Sequence, residues 1–334
     1  VKDDRPTVKR TGVVVALGAV AVDDLFYVDA EFPEGKGRIT ARQRLHGGNA
    51  ATALAAVAVL GGKPRYAGML PDRAQWADVH ADLAHWGIDT SHATVVDRSH
   101  PVRSTVVVTP SGDRFIAFDD SGAVGPSAEL DLTAVTSAEA LLVDSYQPAA
   151  TLRAVRAARS AGVPVVGDLE RVVGPEADAV AASVDHLVVP LNVARQLTAA
   201  QDPAAVLEAL WNDTRAAVVL TDGGNGLWYR HRGDSGVRHV AAYDVPVVDT
   251  TGCGDIFHGA YALCIARRHN VAEALTIAAA AAAIGATAQG GRGHLPDLSE
   301  VTTLLACGTR STTDPLSPPL PSQPLVTKPP QETQ

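Results

Sequence analysis

One stretch of this 334-residue chain sets glycines, a carboxylate and a helical pattern close enough together to do chemistry. It is VVDTTGCGDIFHGAYALCIA, from Val247 to Ala266. A β-branched run ends at Asp249, a Gly-x-Gly turn follows at Gly252-Cys253-Gly254, and a helical pattern starts near Asp255. Ile256, Phe257, Ala260, Leu263 and Cys264 keep the spacing of one helix face. The glycines let backbone N–H groups converge, and a helix N-terminus adds partial positive charge, so an anion is favoured there. Asp255 reads in two ways. It is either a first-turn carboxylate complementing the helix dipole, worth about 0.3–1 kcal/mol, or a general base beside an anion hole, able to take a proton from an attacking hydroxyl. No GxxxxGK string followed by Ser or Thr occurs, so phosphate binding here is not of the P-loop kind.

Such a turn needs a strand before it, a helix after it and a sheet beneath it. The chain alternates short β-branched runs with longer alanine-rich segments. Val13–Leu17, Leu141–Val143, Val163–Val166, His186–Val189 and Ala217–Leu220 read as buried strands. Asn49–Leu60, closed by Gly61-Gly62, reads as a helix, as do Thr151–Ala161, Pro203–Trp211, Asp255–Arg267 and Val271–Ala288. Strands buried on both faces and separated by helices imply an α/β fold with a mostly parallel sheet and right-handed crossovers. Two strand pairs interrupt the alternation. Leu25–Val28 pairs with Arg38–Leu45, and Arg103–Val108 pairs with Arg114–Phe118 around the turn TPSGD, where Gly112 supplies the turn geometry. They are expected to form a small β lid over the strand ends, where open α/β sheets place ligands.

Composition narrows the function class. The net charge of −9 disfavours a general nucleic-acid or anionic-membrane binder. Hydrophobic residues at 46% against charged residues at 19% suit a folded core. Three cysteines (Cys253, Cys264, Cys307), with no CxxC, argue against a disulfide scaffold or zinc site and for a reducing, cytoplasmic setting. The richest apolar run, Ala278–Ala288, is short and mostly alanine, and no signal-peptide core follows the charged first residues. One domain over 12–308 is expected. A polar N-terminal segment (1–11) and a proline-rich tail (309–334) should be disordered and lie outside it.

DTTGCGDIFHGA resembles the second signature of the PfkB/ribokinase family of carbohydrate kinases. HGGNAATALAAVAVLGG (His46–Gly62) resembles the first signature, GAVAVDD (Gly18–Asp24) the substrate-binding opening, and VVLTDGGNG (Val218–Gly226) the nucleotide loop Thr-x-Gly-x-x-Gly. Four motifs in family order span residues 18 to 295. The resemblance implies a ribokinase-like three-layer fold and in-line transfer of the γ-phosphoryl of ATP to a sugar hydroxyl. Asp255 would be the base, and the N–H groups of Gly252, Cys253 and Gly254 would hold the phosphoryl oxygens. Asp23, Gly47, Gly48 and Asn49 would contact the sugar, although Asn49 could equally be the N-cap of its helix. Thr221, Gly223 and Gly226 would line ATP, beside a wall made by the alanine-rich helix and AQGGRGHLP (Ala288–Pro296). Magnesium would bridge the phosphates, and Asp249 and Thr251 would supply oxygens to a potassium ion.

Two departures stand out. The family's Asn-x-x-Glu, which helps hold magnesium, falls on Pro190 and Val193, and the asparagine of ribose kinases two residues before the first-strand aspartate is Ala21. Gly-Gly-Asn-Ala resembles ketohexokinases and GGRGHLP resembles sulfofructose kinases, but Asp144-Ser145-Tyr146-Gln147 lacks the latter's sulfonate-gripping arginine. A ketose or furanose-like sugar is therefore expected. Arg42, Arg44, Arg103 and Arg114 on the lid strands keep a sugar phosphate in view, unless they are merely solvated strand edges. A nucleoside acceptor, stacked on Phe26, Tyr27, Phe115 or Phe118, is the nearest variant, and a silent sugar or nucleotide sensor the rival class. A homodimer through the lid is expected by analogy. A dinucleotide-dependent oxidoreductase is excluded, because the first strand leads into GAVAVDD and not into G-x-G-x-x-G.

Overall fold

Val14 and Ala16 of the first apolar run point to one side and Val15 and Leu17 to the other, each side into a separate core. This alternation is what a strand covered by helices on both faces requires. The computed structural model describes residues 10–31, 35–110 and 114–310. Its strands are β1 (Val13–Leu17), β2 (Ala21–Val28), β3 (Ile39–Gly47), β4 (Lys63–Tyr66), β5 (Met69–Pro71), β6 (Thr94–Val96), β7 (Val102–Val108) and β8 (Arg114–Asp119), then β9 (Ala140–Val143), β10 (Val165–Asp168), β11 (His186–Pro190), β12 (Ala217–Thr221), β13 (Leu227–His231) and β14 (Asp234–Val240). Its helices are α1 (Asn49–Val59), α2 (Ala77–His85), α3 (Leu132–Thr136), α4 (Pro148–Ser160), α5 (Pro175–Ser183), α6 (Leu191–Thr198), α7 (Pro203–Leu210), α8 (Cys253–Ala266), α9 (Val271–Gly285) and α10 (Leu298–Cys307).

The central sheet has eight strands in the order β14-β13-β12-β11-β10-β9-β1-β4. Six are parallel, and β13 and β14 close one side as antiparallel neighbours. One core, beneath α1, α8 and α9, is rich in alanine; the other lies beneath α3 to α7. Alanine lets helices approach closely, and at Gly259 of α8 an added Cβ would lie 2.1 Å from the Ala53 carbonyl oxygen of α1. That contact sets the N-termini of α1 and α8 side by side. Val165–Asp168, His186–Pro190 and Ala217–Thr221 all run to the same edge of the sheet, so Asp168, Pro190 and Thr221 share one rim. Open α/β sheets bind ligands at such a rim.

The lid is a single four-stranded sheet, β3-β2-β7-β8, in which two antiparallel pairs join through parallel β2 and β7. β2 begins at Ala21, four residues earlier than expected, so Asp23 stands on the lid itself. The turn residues Ser111, Gly112 and Asp113 lie outside the described residues, as do 1–9 and most of the proline-rich tail. The β-branched run at Val247–Asp249 is a connection and not a strand; Val248 N–H and Asp249 N–H both donate to the Ala286 carbonyl at the end of α9. Among the described residues no helix is long and apolar enough to cross a membrane.

Candidate active site

The turn before α8 divides two clefts. Val248, Asp249 and Thr251 face a cleft of about 500 Å³ under the lid, which also reaches Asp23, Tyr27 and Ser104. Val247, Thr250, Cys253 and Gly254 face a second cleft of about 300 Å³, which reaches Thr221, Gly223 and Gly226. The residues of the turn thus alternate between the two clefts, Thr251 facing the first and Thr250, Cys253 and Gly254 the second. Gly252 is the N-cap of α8, with φ 72°, and its carbonyl accepts from Ile256 N–H at 2.9 Å. Cys253 N–H closes a turn on the Thr250 carbonyl at 3.2 Å, whereas Gly252 N–H and Gly254 N–H meet no acceptor among the described residues. Of the three N–H groups implied by the family motif, these two are the ones left to meet an anion. Burial, reinforced by Asp249 and Asp255, pushes the Cys253 thiol up to about 11, so it stays protonated at neutral pH.

Asp255 sits in the first turn of α8, partly buried. Its carboxyl is held well above the usual range, first by burial, then by the charges of Asp168 and Glu170 and, further off, Asp144, with Arg292 opposing. Asp144 is itself buried and pushed up to about 7 by that burial, although its Oδ2 accepts from Ala19 N–H at 2.7 Å and its Oδ1 from Tyr146 N–H at 3.0 Å. Arg292 is almost wholly buried. It donates to Asp82 Oδ2 at 2.5 Å, to Thr52 Oγ1 at 3.1 Å and to the Gly47 carbonyl at 3.1 Å. It therefore ties the glycine pair at the head of α1 to the neighbourhood of Asp255.

Asp23 reaches the same place from the lid: an added Cβ on Gly47 would stand 3.5 Å from Asp23 Oδ2. Burial raises the Asp23 carboxyl, a hydrogen bond with Ser104 lowers it and Asp24 raises it further. Asn49 is the first residue of α1, and Gly48 (φ 93°) is its N-cap, with no side-chain cap. The capping role open to Asn49 is thus not taken; its Nδ2 donates to Asp168 Oδ2 at 3.1 Å. Gly47 thus meets both Asp23 and Arg292, and Arg292 in turn acts on Asp255, which lies outside the lining of the lid cleft.

The second cleft is lined mostly by apolar side chains. Ala279, Ala282, Ala283 and Ala286, on α9 and its C-cap, face Tyr243, Val245 and Leu227 across it. Small side chains and apolar ones together make it a largely apolar slot. Thr221 ends β12, and Gly223 and Gly226 form the tight hairpin into β13.

The model of the pfkB family of carbohydrate kinases matches residues 13–298. This chain belongs to that family. It is 26% identical over 276 residues to a ribokinase of Haemophilus influenzae, covering 77% of this chain and 86% of that protein. The structure of a putative ribokinase from Agrobacterium tumefaciens superimposes with a TM-score of 0.78 at 28% identity, covering 88% of this chain and 97% of that one. Arabidopsis thaliana ribokinase complexed with ribose and ATP superimposes with a TM-score of 0.77 at 23% identity, over 88% and 98% of the two chains. The fold is therefore the three-layer ribokinase-like one, with its lid.

Against the family pattern, Pro190 ends β11 and Val193 lies in α6, so neither position carries a metal-binding oxygen on its side chain. Among the described residues no cluster of three His, Cys, Asp or Glu side chains could hold a metal ion. Asp249 and Thr251 form a closed turn. Asp249 Oδ1 accepts from Thr251 N–H at 2.9 Å and Thr251 Oγ1–H at 2.7 Å, and Oδ2 accepts from Gly290 N–H at 2.9 Å. Their oxygens are hard donors of the type a potassium or magnesium ion prefers.

The lid arginines turn away. Strand alternation puts Asp23, Leu25 and Tyr27 of β2 in the cleft and Asp24 and Phe26 on the opposite face. Arg44 lies across from Asp24 and pairs with it at 2.8 Å, Arg42 stacks over Phe26, and Arg103 pairs with Asp119 at 2.8 Å. The side chain of Arg114 lies outside the described residues. Asp168, Glu170, His258 and Arg292 are site residues that sequence reasoning did not single out, although the last two lie inside quoted motifs.

Proposed function

We propose that this chain is an ATP-dependent kinase that transfers the γ-phosphoryl to a hydroxyl of an uncharged ketose or furanose-like sugar, with Asp255 as general base. The observation that carries this reading is the turn before α8, which faces an apolar slot on one side and, on the other, a lid cleft that Asp23 and Asp249 line. ATP would enter the slot over the alanine face of α9, its phosphates directed at Gly252 N–H and Gly254 N–H. The sugar would lie between Asp23, the glycine pair and Asn49, with one hydroxyl toward Asp255. As that oxygen attacks, its proton passes to the Asp255 carboxylate, while the N–H groups stabilise charge on the moving phosphoryl. Magnesium, arriving with ATP, would neutralise the phosphate charge. Asp249 and Thr251 are the residues we assign to a monovalent cation behind the turn.

An uncharged acceptor follows from the electrostatics. Asp23 lines the lid cleft and the charges of Asp168, Glu170 and Asp144 act on Asp255, while Arg292 is already engaged and Arg42, Arg44 and Arg103 face away. A sugar phosphate would meet repulsion there. The nucleoside variant keeps one support, the apolar cleft face formed by Tyr27, Val106 and Ile116. ADP release from MgATP, measured with a panel of sugars and nucleosides, tests both. Release with a neutral sugar is the expected result, and activity confined to nucleosides or sugar phosphates overturns it.

The raised Asp255 carboxyl sets the pH dependence. Transfer needs the ionised form, so kcat/KM should fall on acidification nearer neutrality than a solvated aspartate would dictate. Glu170→Gln removes one of the charges that raise it and should move the acid limb to lower pH. A pH–rate profile whose acid limb sits at or below about pH 4 removes this account.

We also read the lid as a contact between two copies. Phe115, Ile116 and Phe118 on edge strand β8 are each more than half exposed, an apolar edge that invites pairing. Light scattering should give twice the 34.6 kDa chain mass, falling to one chain in Phe115→Glu/Phe118→Glu. A monomeric parent protein refutes the contact.

A further inference from the structure

Beneath the turn lies a buried pair that the transfer described above does not use. His258 follows Gly254 by one turn of α8, and Asp168 ends β10; their side chains are 5% and 4% exposed. His258 Nδ1 lies 2.7 Å from the Gly254 carbonyl oxygen, an atom that can only accept, so Nδ1 carries a hydrogen. His258 Nε2 then faces Asp168 Oδ1 at 3.5 Å. Both atoms are sealed from solvent, and neither has a hydrogen-bond partner among the described residues. A neutral ring against an ionised carboxylate would set lone pair against lone pair where water cannot intervene.

A proton on Nε2 removes that conflict. Asp168 Oδ2 accepts from Asn49 Nδ2 at 3.1 Å, which leaves Oδ1 to meet the ring. Beyond Asp168, the ring interacts with the charge of Glu170, two residues past the end of β10, and Asp255 precedes it by three residues on α8.

We propose that His258 and Asp168 form a buried imidazolium–carboxylate pair that locks the Gly254 peptide to the Asn49 amide, making His258 a positioning residue. The proposal rests on the reading of Gly254 as part of the phosphoryl site and Asn49 as part of the acceptor site. The chain of contacts runs Gly254 carbonyl, His258, Asp168, Asn49. It joins the head of α8 to the head of α1 through side chains, so the two halves of the site keep one spacing. Such a pair contributes little net stability against an apolar replacement, but losing one partner strands the other charge.

The test is spectroscopic first. Long-range ¹H–¹⁵N correlation on the histidine-labelled protein at pH 7 should show both His258 ring nitrogens protonated, and Asp168→Asn should leave Nε2 unprotonated. An unprotonated Nε2 in the parent protein overturns the proposal. The second readout is Mg–AMP-PNP binding by calorimetry. His258→Gln and Asp168→Asn should each weaken it about tenfold, and the double variant no further, since the pair acts as a unit. Losses that multiply, or singles within twofold of the parent, also overturn it. If His258→Gln does not fold, the parent spectrum still decides. Should the parent protein release no ADP from MgATP with any acceptor, the kinase reading fails while the His258 resonances stand, so the two failures are distinguishable.

Discussion

Asp255→Asn should lower kcat by about 10³-fold, within the range expected for loss of a positioned general base, and at the same time raise thermal stability at neutral pH. The side chain keeps its shape, so the turn and α8 are preserved. What is lost is a proton acceptor aimed at the acceptor hydroxyl. The stability gain follows from linkage. A carboxyl whose folded pKa is raised contributes stability fully present below its unfolded pKa and lost as pH rises through the folded value. Once pH passes that folded value, the parent protein bears an ionised Asp255 crowded by Asp168, Glu170 and Asp144, and the amide removes that repulsion. Thermal unfolding at pH 8 should show the variant more stable, with the gap closing toward pH 4. Activity within tenfold of the parent would falsify the base assignment. A fall in stability at pH 8 would remove the electrostatic account while leaving the base in place.

The architecture was legible because buried parallel strands are nearly pure β-branched runs and alanine-rich helices carry clear stops. Gly61-Gly62 ends α1 as expected, with Gly62 N–H donating to the Val57 carbonyl. α8 and its turn were legible because the glycines and Asp255 are adjacent in sequence. Asp168, Glu170, His258 and Arg292 were not, because each becomes functional only through partners far along the chain. Arg292 is read by Asp82, 210 residues earlier, and Asp168 by Asn49, 119 residues away. β13 and β14 escaped notice for a different reason: their polar, half-exposed faces lack the apolar run that marked the inner strands. The lid arginines show the limit of composition. Strand alternation, and not residue type, decided that Arg42, Arg44 and Arg103 turn from the cleft, and alternation could be used only once the register with β2 and β8 was known.

Gly252→Val should be nearly as damaging as loss of the base, through geometry alone. Gly252 has φ 72°, where a residue with a Cβ costs about 1–2 kcal/mol, and valine's branching adds to that. The new Cβ would lie 2.6 Å from Gly291 Cα and 2.7 Å from Gly291 O. Gly291 cannot retreat. Its neighbour Gly290 is held by Asp249 Oδ2 at 2.9 Å, and Arg292 on the other side is clamped by Asp82, Thr52 and the Gly47 carbonyl. The strain must therefore open the turn before α8, swinging Gly252 N–H and Gly254 N–H off the phosphoryl path. Removing one such donor costs about 10²–10³ in kcat, so a loss of at least that size is expected, with Tm down by about 4–8 °C for about 2 kcal/mol of strain. Gly61→Ala separates the two effects. Gly61 also has positive φ (74°), but its added Cβ would meet only the end of the Arg267 side chain at 3.7 Å. That variant should lose stability and keep its kcat. If Gly252→Val lost stability but kept kcat within threefold, the N–H groups of this turn would not be what holds the phosphoryl group, whatever the role of Asp255.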